Sequence, residues 1–198
     1  LFDCCLKSCD RDFGIGWRVQ RERKQVFLAP GRVRDRLGFC KRAEQVVGNF
    51  ARAPQGGDTD QLRGIASGEC DIAMSNTYYF ARAVRKEVSG LDAEARAGIG
   101  WVFPNQDDIG AHMNISGGGV AANAPNKENA MKFLEYLASE QAQQHFSAGN
   151  DEYPAVPGVG LAPSVASLGF FRPDAIDLAD ISDNIDAANT ILTNAGWE

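Results

Sequence analysis

An α/β fold with an open sheet is predicted by three observations. A brief apolar strand at residues 71–75 (D-I-A-M-S) passes directly into a helical segment. Further strand-like runs with turn signals follow at 98–105 and 112–120. Between 126 and 138, Ala130, Phe133, Leu134 and Leu137 recur at three- and four-residue spacing, which is one apolar helical face.

The elements follow in order. Ser67-Gly68 is a turn, and Ile72, Ala73 and Met74 form a strand closed by Asn76 and Thr77. In an open α/β sheet such a strand end faces the binding crevice. Thr77 or Asn76 can cap a helix over about 79–88, whose first N–H groups carry partial positive charge and favour anions. The run 98–105 (G-I-G-W-V-F-P-N) reads as a strand stopped by Pro104, and 112–120 as a strand ending in Gly117, Gly118 and Gly119. Those glycines lack the Lys-Ser/Thr of a phosphate loop and the spacing of a dinucleotide fingerprint, so they read as backbone needing close approach or positive φ. Tyr136 is expected at the margin of the 126–138 face. A second helix over 140–147 is expected to stop at Gly149 with His145 facing solvent, followed by a proline-rich loop at 151–163. Phe170 and Phe171 are expected to anchor the approach to a last helix over about 183–195, which ends on Gly196 with Trp197 docking back. No apolar run reaches ~18 residues, so no span of a membrane is expected.

Charge and cysteine content divide the chain near residue 43. Residues 1–44 carry eleven Lys or Arg against six Asp or Glu, and Cys4, Cys5, Cys9 and Cys40; residues 45–198 carry nine against twenty, and only Cys70. Cys4, Cys5 and Cys9 have no C-x-x-C pair matched by a second one, which argues against zinc. Arg18, Arg21, Arg23 and Lys24 cluster, but aromatic residues are sparsely interleaved and the overall charge of −6 disfavours nucleic acid as the partner.

The chemistry of the chain concentrates at Tyr78 and Tyr79, on the strand-to-helix junction. A phenol, with a reference pKa of about 10, is a poor ligand until a highly charged cation displaces its proton. As phenolate it is a hard anionic oxygen that suits a small, highly charged ion, with ferric iron the natural candidate. Adjacent strand residues point to opposite faces, so the two rings converge only if the chain turns between them. The plainer reading stands beside this one: tyrosine pairs at strand ends commonly pack their rings and leave their hydroxyls to water.

Several blocks, N-F-A-R-A-P-Q-G-G-D-T-D-Q-L-R (49–63), G-E-C-D-I-A-M-S-N-T-Y-Y-F (68–80), F-P-N-Q (103–106), H-M-N-I-S-G-G-G-V (112–120), A-P-N-K-E-N-A-M-K-F-L-E-Y-L (124–137), E-Y-P (152–154) and A-G-W (195–197), together resemble the periplasmic ferric-ion-binding proteins of bacterial ABC importers, in order from about residue 44 to the end. The resemblance implies a type II periplasmic-binding-protein fold, an open mixed sheet flanked by helices in two lobes, closing on one ferric ion and passing it to an ABC permease in the inner membrane. It implies that Tyr78 and Tyr79 ligate the metal, and that Asn76, with Thr77, holds a synergistic anion such as carbonate or phosphate. Periplasmic location and a monomeric state follow from it as expectations. Residues 1–77 hold no tyrosine and no histidine, so the further ligands of the family's first lobe are missing. At ~100 to 200 residues per domain, the 198 residues are short for two full lobes. A truncated fold with an incomplete first lobe is therefore expected, and the chain, which opens on Leu1 rather than Met, reads as a C-terminal portion. Carrying the family's crossings over puts 44–108 and 160–198 in the second lobe and 109–159 in a remnant of the first. Residues 1–43, a basic Cys-rich segment unmatched to the family, are read as out of frame. In the remnant, apolar helix faces are expected to be exposed.

Three functions follow from this reading: a ferric-ion receptor weakened by truncation, an anion receptor whose tyrosines merely line the pocket, or a fragment of a degenerate gene with no activity of its own. An enzyme is disfavoured, since His112 and His145 are the only histidines and there is no nucleophile elbow or H-E-x-x-H. His112 and Tyr153 are expected to be structural.

Overall fold

The computed structural model describes residues 5–6, 24–26, 36–86 and 88–197. Along the chain run β1 (Cys5–Leu6), β2 (Lys24–Val26), α1 (Arg36–Val47), α2 (Asp58–Ser67), β3 (Ile72–Ala73), α3 (Thr77–Arg85), α4 (Ala93–Ala97), β4 (Ile99–Trp101), α5 (Lys127–Leu137), α6 (Glu140–Asn150), α7 (Pro163–Ala166) and α8 (Leu178–Asn194). The chain divides into two compact units. One comprises Leu1–Ser75, Val88–His112 and Phe171–Glu198, the other Asn76–Glu87 and Met113–Phe170. The 1–43 segment, with Cys4, Cys9 and the basic cluster from Arg18, lies largely outside the described residues.

The first unit is built on a sheet of order β1-β3-β2-β4, in which β1 is antiparallel to β3 and the other pairs are parallel. The register sets Gln25 opposite Ile72 and opposite Gly100. This is the mixed, open sheet expected; β3 and β4 are shorter than the apolar runs that announced them, and β1 and β2 come from the 1–43 segment, where no strand was expected. α2 packs its apolar face on this sheet. Its start is held by Asp60, whose Oδ2 accepts from the Gly57 N–H at 3.0 Å, and Asp58 and Asp60 complement the positive end of the helix. Gly68, at φ 80°, closes it in the left-handed conformation that glycine adopts without strain. Leu62, Ile65, Ala73, Leu91 and Ile99 make the core, and buried Gln61 is satisfied through donation to the carbonyls of Gln55 and Gly57. Cys70 is fully buried and disulfide-bonded, while Cys40 is a free thiol.

α8 starts five residues earlier than the spacing predicts, because the Asp177 side chain accepts from the Ala179 N–H and so caps an extra turn. Its end behaves as expected: Gly196 takes φ 84°, the Trp197 N–H donates to the Leu192 carbonyl at 3.0 Å, and the Trp197 ring meets Phe50 edge-on at 5.1 Å. Phe171 stacks on Phe103 at 4.6 Å, but Phe170 is 93% exposed and anchors nothing, since neighbouring side chains in extended backbone point to opposite sides.

The expected strand at 112–120 does not form. The nearest backbone pairing is an isolated parallel bridge between Ala111 and Pro173, flanked by bonds from the Ala111 N–H to Arg172 and from the Asp174 N–H to Ala111, both 2.8 Å. Pro173 has no N–H to extend a ladder, and the three glycines that follow carry the largest entropy of ordering.

The second unit has α3, α5, α6 and α7, with Phe80, Ala81, Ala83, Ala142, Val165 and Leu168 in its core. α5 forms as the spacing predicts, yet none of its residues is fully buried, and Met131, Phe133 and Tyr136 are all about half exposed. α6 runs through Gly149 to Asn150 and stops on Asp151 at φ 65°, an aspartate being one of the few side chains that accept that conformation. No described helix is long and apolar enough to cross a membrane.

Candidate metal centre

α3 begins two residues earlier than its sequence predicts, so Tyr78 and Tyr79 occupy the second and third helical positions rather than its approach. Asn76 holds the N-cap position with extended backbone (φ −67°, ψ 143°), but its side chain does not close on the helix. Its Oδ1 instead accepts from the Asn114 side-chain amide at 3.0 Å, which ties the loop after His112 to the start of α3. Thr77 is the first helical residue. The N–H groups of this first turn have no carbonyl partner four residues back within the helix, as at any helix start.

The tyrosine rings lie side by side, with centroids 4.2 Å apart and planes 32° from parallel. Adjacent helical residues leave the axis about 100° apart, so the rings meet because both side chains bend toward each other, not because the backbone sets them parallel. That is the convergence which an extended strand would have denied them. Both side chains are half-buried.

Arg82 completes the arrangement. It follows Tyr78 by four residues and Tyr79 by three, the two spacings that share a helix face, and long helical side chains lean toward the N-terminus. Its guanidinium lies 5.5 Å from both ring centroids, in cation–π range. Behind it sits Asp151, fully buried, whose carboxylate takes two bonds from Arg85 (2.7 and 2.8 Å) and one from the Ser164 hydroxyl (2.8 Å), with Arg82 Nε at 3.9 Å. Arg85 also donates to the Gly149 carbonyl at 3.2 Å. Two arginines face one carboxylate, so a surplus positive charge remains beside the phenols.

Burial pushes the Asp151 carboxyl up, but the bonds from Arg85 and Ser164 and the charges of Arg85 and Arg82 outweigh it and hold it below the ordinary carboxylate value. A group depressed in the folded state stabilises fully above its unfolded value and loses that contribution as pH falls through the folded one. Denaturant midpoints measured from pH 6 down to pH 2 are thus expected to fall for the wild type below about pH 4, and Asp151→Asn is expected to show a shallower decline. Parallel curves for the two proteins would remove Asp151 from the acid response.

The remaining candidates take structural places. His112 Nδ1 meets Asp174 Oδ2 at 3.1 Å, and His145 is exposed on α6. The Tyr153 hydroxyl donates to the Gly169 carbonyl at 2.7 Å, and burial pushes its phenol up to about 12. Tyr136 lies exposed on α5. Among the described residues there is no group of three or more His, Cys, Asp or Glu placed to hold a metal ion. Sequence reasoning did not single out Arg82, Arg85, Asp151 or Ser164. Arg82 was accessible from its spacing to the tyrosines, whereas Asp151, 66 residues beyond Arg85, carried no local signal.

Residues 38–172 match the family described as bacterial extracellular solute-binding protein. Iron uptake protein A1 of Synechocystis is 44% identical over 156 residues, which is 79% of this chain and 43% of that protein. The major ferric iron-binding protein of Neisseria meningitidis is 28% identical over 137 residues, 69% of this chain and 40% of that one. A Trichodesmium protein (IdiA, FutA) solved in complex with iron and citrate superimposes with a TM-score of 0.74 at 36% identity, covering 91% of this chain and 61% of that one. The chain thus spans less than half the length of these two curated relatives.

Proposed function

Since the chain belongs to the bacterial extracellular solute-binding proteins and carries part of the type II periplasmic-binding-protein fold, we propose that it is a ferric-ion receptor feeding an ABC importer. Tyr78 and Tyr79 are its metal ligands in this reading. What supports it most is their placement: two phenols set side by side at 4.2 Å, under the shared guanidinium of Arg82, at the N-terminal turn of α3. The iron is cargo, not a resident cofactor, and the protein acts by binding rather than by catalysis. Asn76 and Thr77 at the helix start would receive a small synergistic anion, carbonate or phosphate, where the helix end and the Arg82 charge both favour negative groups. The relatives named for iron uptake and ferric binding support the same cargo; a membrane permease as its recipient and a periplasmic address belong to the same proposal.

Two phenolates leave most of the coordination shell of iron to other donors, so the affinity of this chain is expected to be weak. Each phenol must shed its proton as iron binds, so affinity falls as pH falls. Titration of the purified protein with ferric citrate between pH 8 and pH 5 is expected to raise a visible phenolate-to-iron absorption band, strongest at the alkaline end. A protein that stays colourless at every pH would count against the reading.

The Arg82 charge beside a helix N-terminus favours one second reading, an anion receptor whose tyrosines only line the site. Calorimetry with phosphate or citrate in the absence of metal separates the two, because this reading keeps its affinity when both tyrosines become phenylalanine.

A further inference from the structure

Arg85 touches neither tyrosine ring, yet we propose that it is a positioning residue for the pair: by neutralising Asp151 through a two-bond fork it leaves Arg82 to lie over the rings of Tyr78 and Tyr79. The proposal rests on the reading of those tyrosines as the iron ligands.

A carboxylate with no exposed surface must be compensated, because an unpaired buried charge is strongly destabilising. Two guanidiniums reach Asp151 from the same helix. Arg82 and Arg85 are three residues apart on α3, hence neighbours on one face. Arg85 takes both carboxylate oxygens in a fork, at 2.7 and 2.8 Å, while Arg82 stands off at 3.9 Å. The Ser164 hydroxyl adds a third bond to Oδ1. Oδ2, the oxygen nearer Arg82, keeps an acceptor site, but the forked pair already meets the carboxylate's charge, so Arg82 is held there more weakly than Arg85.

The arrangement is asymmetric for a reason visible in the fold. Arg85 is also fastened to the Gly149 carbonyl, in the last turn of α6, and that bond draws it toward Asp151 and away from the rings. Arg82 has no such tether, and the rings of Tyr78 and Tyr79 lie one turn back along its own helix. A cation–π contact at a half-exposed site is weaker than a hydrogen-bonded pair with a buried carboxylate. Were Arg85 absent, Asp151 would take Arg82 as its counter-ion, over a gap already only 3.9 Å wide, and the rings would lose their cation.

The test follows Arg82 in iron-free protein by NMR, reading the ring-current shift of its Nε proton, and separately titrates each variant with ferric citrate. Arg85→Gln is expected to lose the ring-current shift and to weaken iron binding about tenfold, the lower range for partners outside the ligand shell. The double variant Arg85→Gln with Asp151→Asn removes the competing carboxylate as well, so both the shift and the affinity are expected to return. Arg85→Lys keeps the charge but contacts a single oxygen, and is expected to fall between. Should Arg85→Gln fail to fold, the lysine and double variants carry the test. An Arg82 signal unmoved in folded Arg85→Gln, a double variant as impaired as the single one, or a lysine variant no different from wild type would overturn the proposal. The signal lost in Arg85→Gln, in a protein whose wild type never colours with iron, would keep the positioning role and discard the iron ligands. Colour that depends on the tyrosines, beside an unmoved Arg82 signal, would do the reverse.

Discussion

Tyr78→Phe combined with Tyr79→Phe is expected to abolish the visible iron band and to lower ferric affinity by about a hundredfold or more. Partners outside the ligand shell already account for ~10–100-fold in metal sites, and these substitutions remove ligands themselves. Phenylalanine keeps the ring, so the side-by-side packing at 4.2 Å can persist, and it also presents a π face to the Arg82 guanidinium. The helix starts from Asn76 and buries Phe80, Ala81 and Ala83, all of which the variant keeps. The melting temperature of the variant is therefore expected to stay close to that of the wild type while the colour disappears. Single variants should retain a weaker band shifted in wavelength, because one phenolate still reaches the ion. A double variant that colours normally would place the iron elsewhere on the molecule.

Gly110→Ala is expected to lower stability by about 2–4 kcal/mol, from the sum of a left-handed backbone penalty and a forced backbone shift. Gly110 has φ 91°, outside the range that L side chains adopt readily, and its N–H donates to the Asn105 carbonyl at 2.9 Å. A Cβ there would run into the Pro173 carbonyl and come within 2.7 Å of the Arg172 carbonyl oxygen, both of them main-chain atoms that cannot rotate aside. The segment disturbed is the one that pairs Ala111 with Pro173, bonds Gln106 to the backbone of Arg172 and sets His112 against Asp174. Urea denaturation of the two proteins measures the loss. Gly117→Ala is the control, since a Cβ at that glycine meets nothing within 4 Å, and it should be nearly neutral. Equal midpoints for Gly110→Ala and wild type would contradict the steric account.

Some of the architecture could be read directly from the chain. α5 follows from the spacing of Ala130, Phe133, Leu134 and Leu137, and the end of α8 from Gly196, because helical periodicity and a left-handed glycine are local properties. The 112–120 strand was misread for the complementary reason. An apolar run states only that a segment tolerates extension, and whether it pairs depends on what lies alongside, here a proline that cannot donate. Phe170 illustrates the same limit, since nothing in Phe170-Phe171 tells which ring finds a partner.

The site divides along the same line. Residue identity alone determined that Tyr78 and Tyr79 could supply two hard oxygens at a strand-to-helix junction, since ligand chemistry belongs to the side chain and adjacency to the chain. Tertiary structure decided that the helix takes in both residues, that their rings lie side by side, and that a cation covers them. The last of these runs through Asp151, a buried carboxylate far along the chain, whose need for counter-charge sorts Arg85 from Arg82. Burial of a charge is a property of the folded assembly, and no window of sequence contains it.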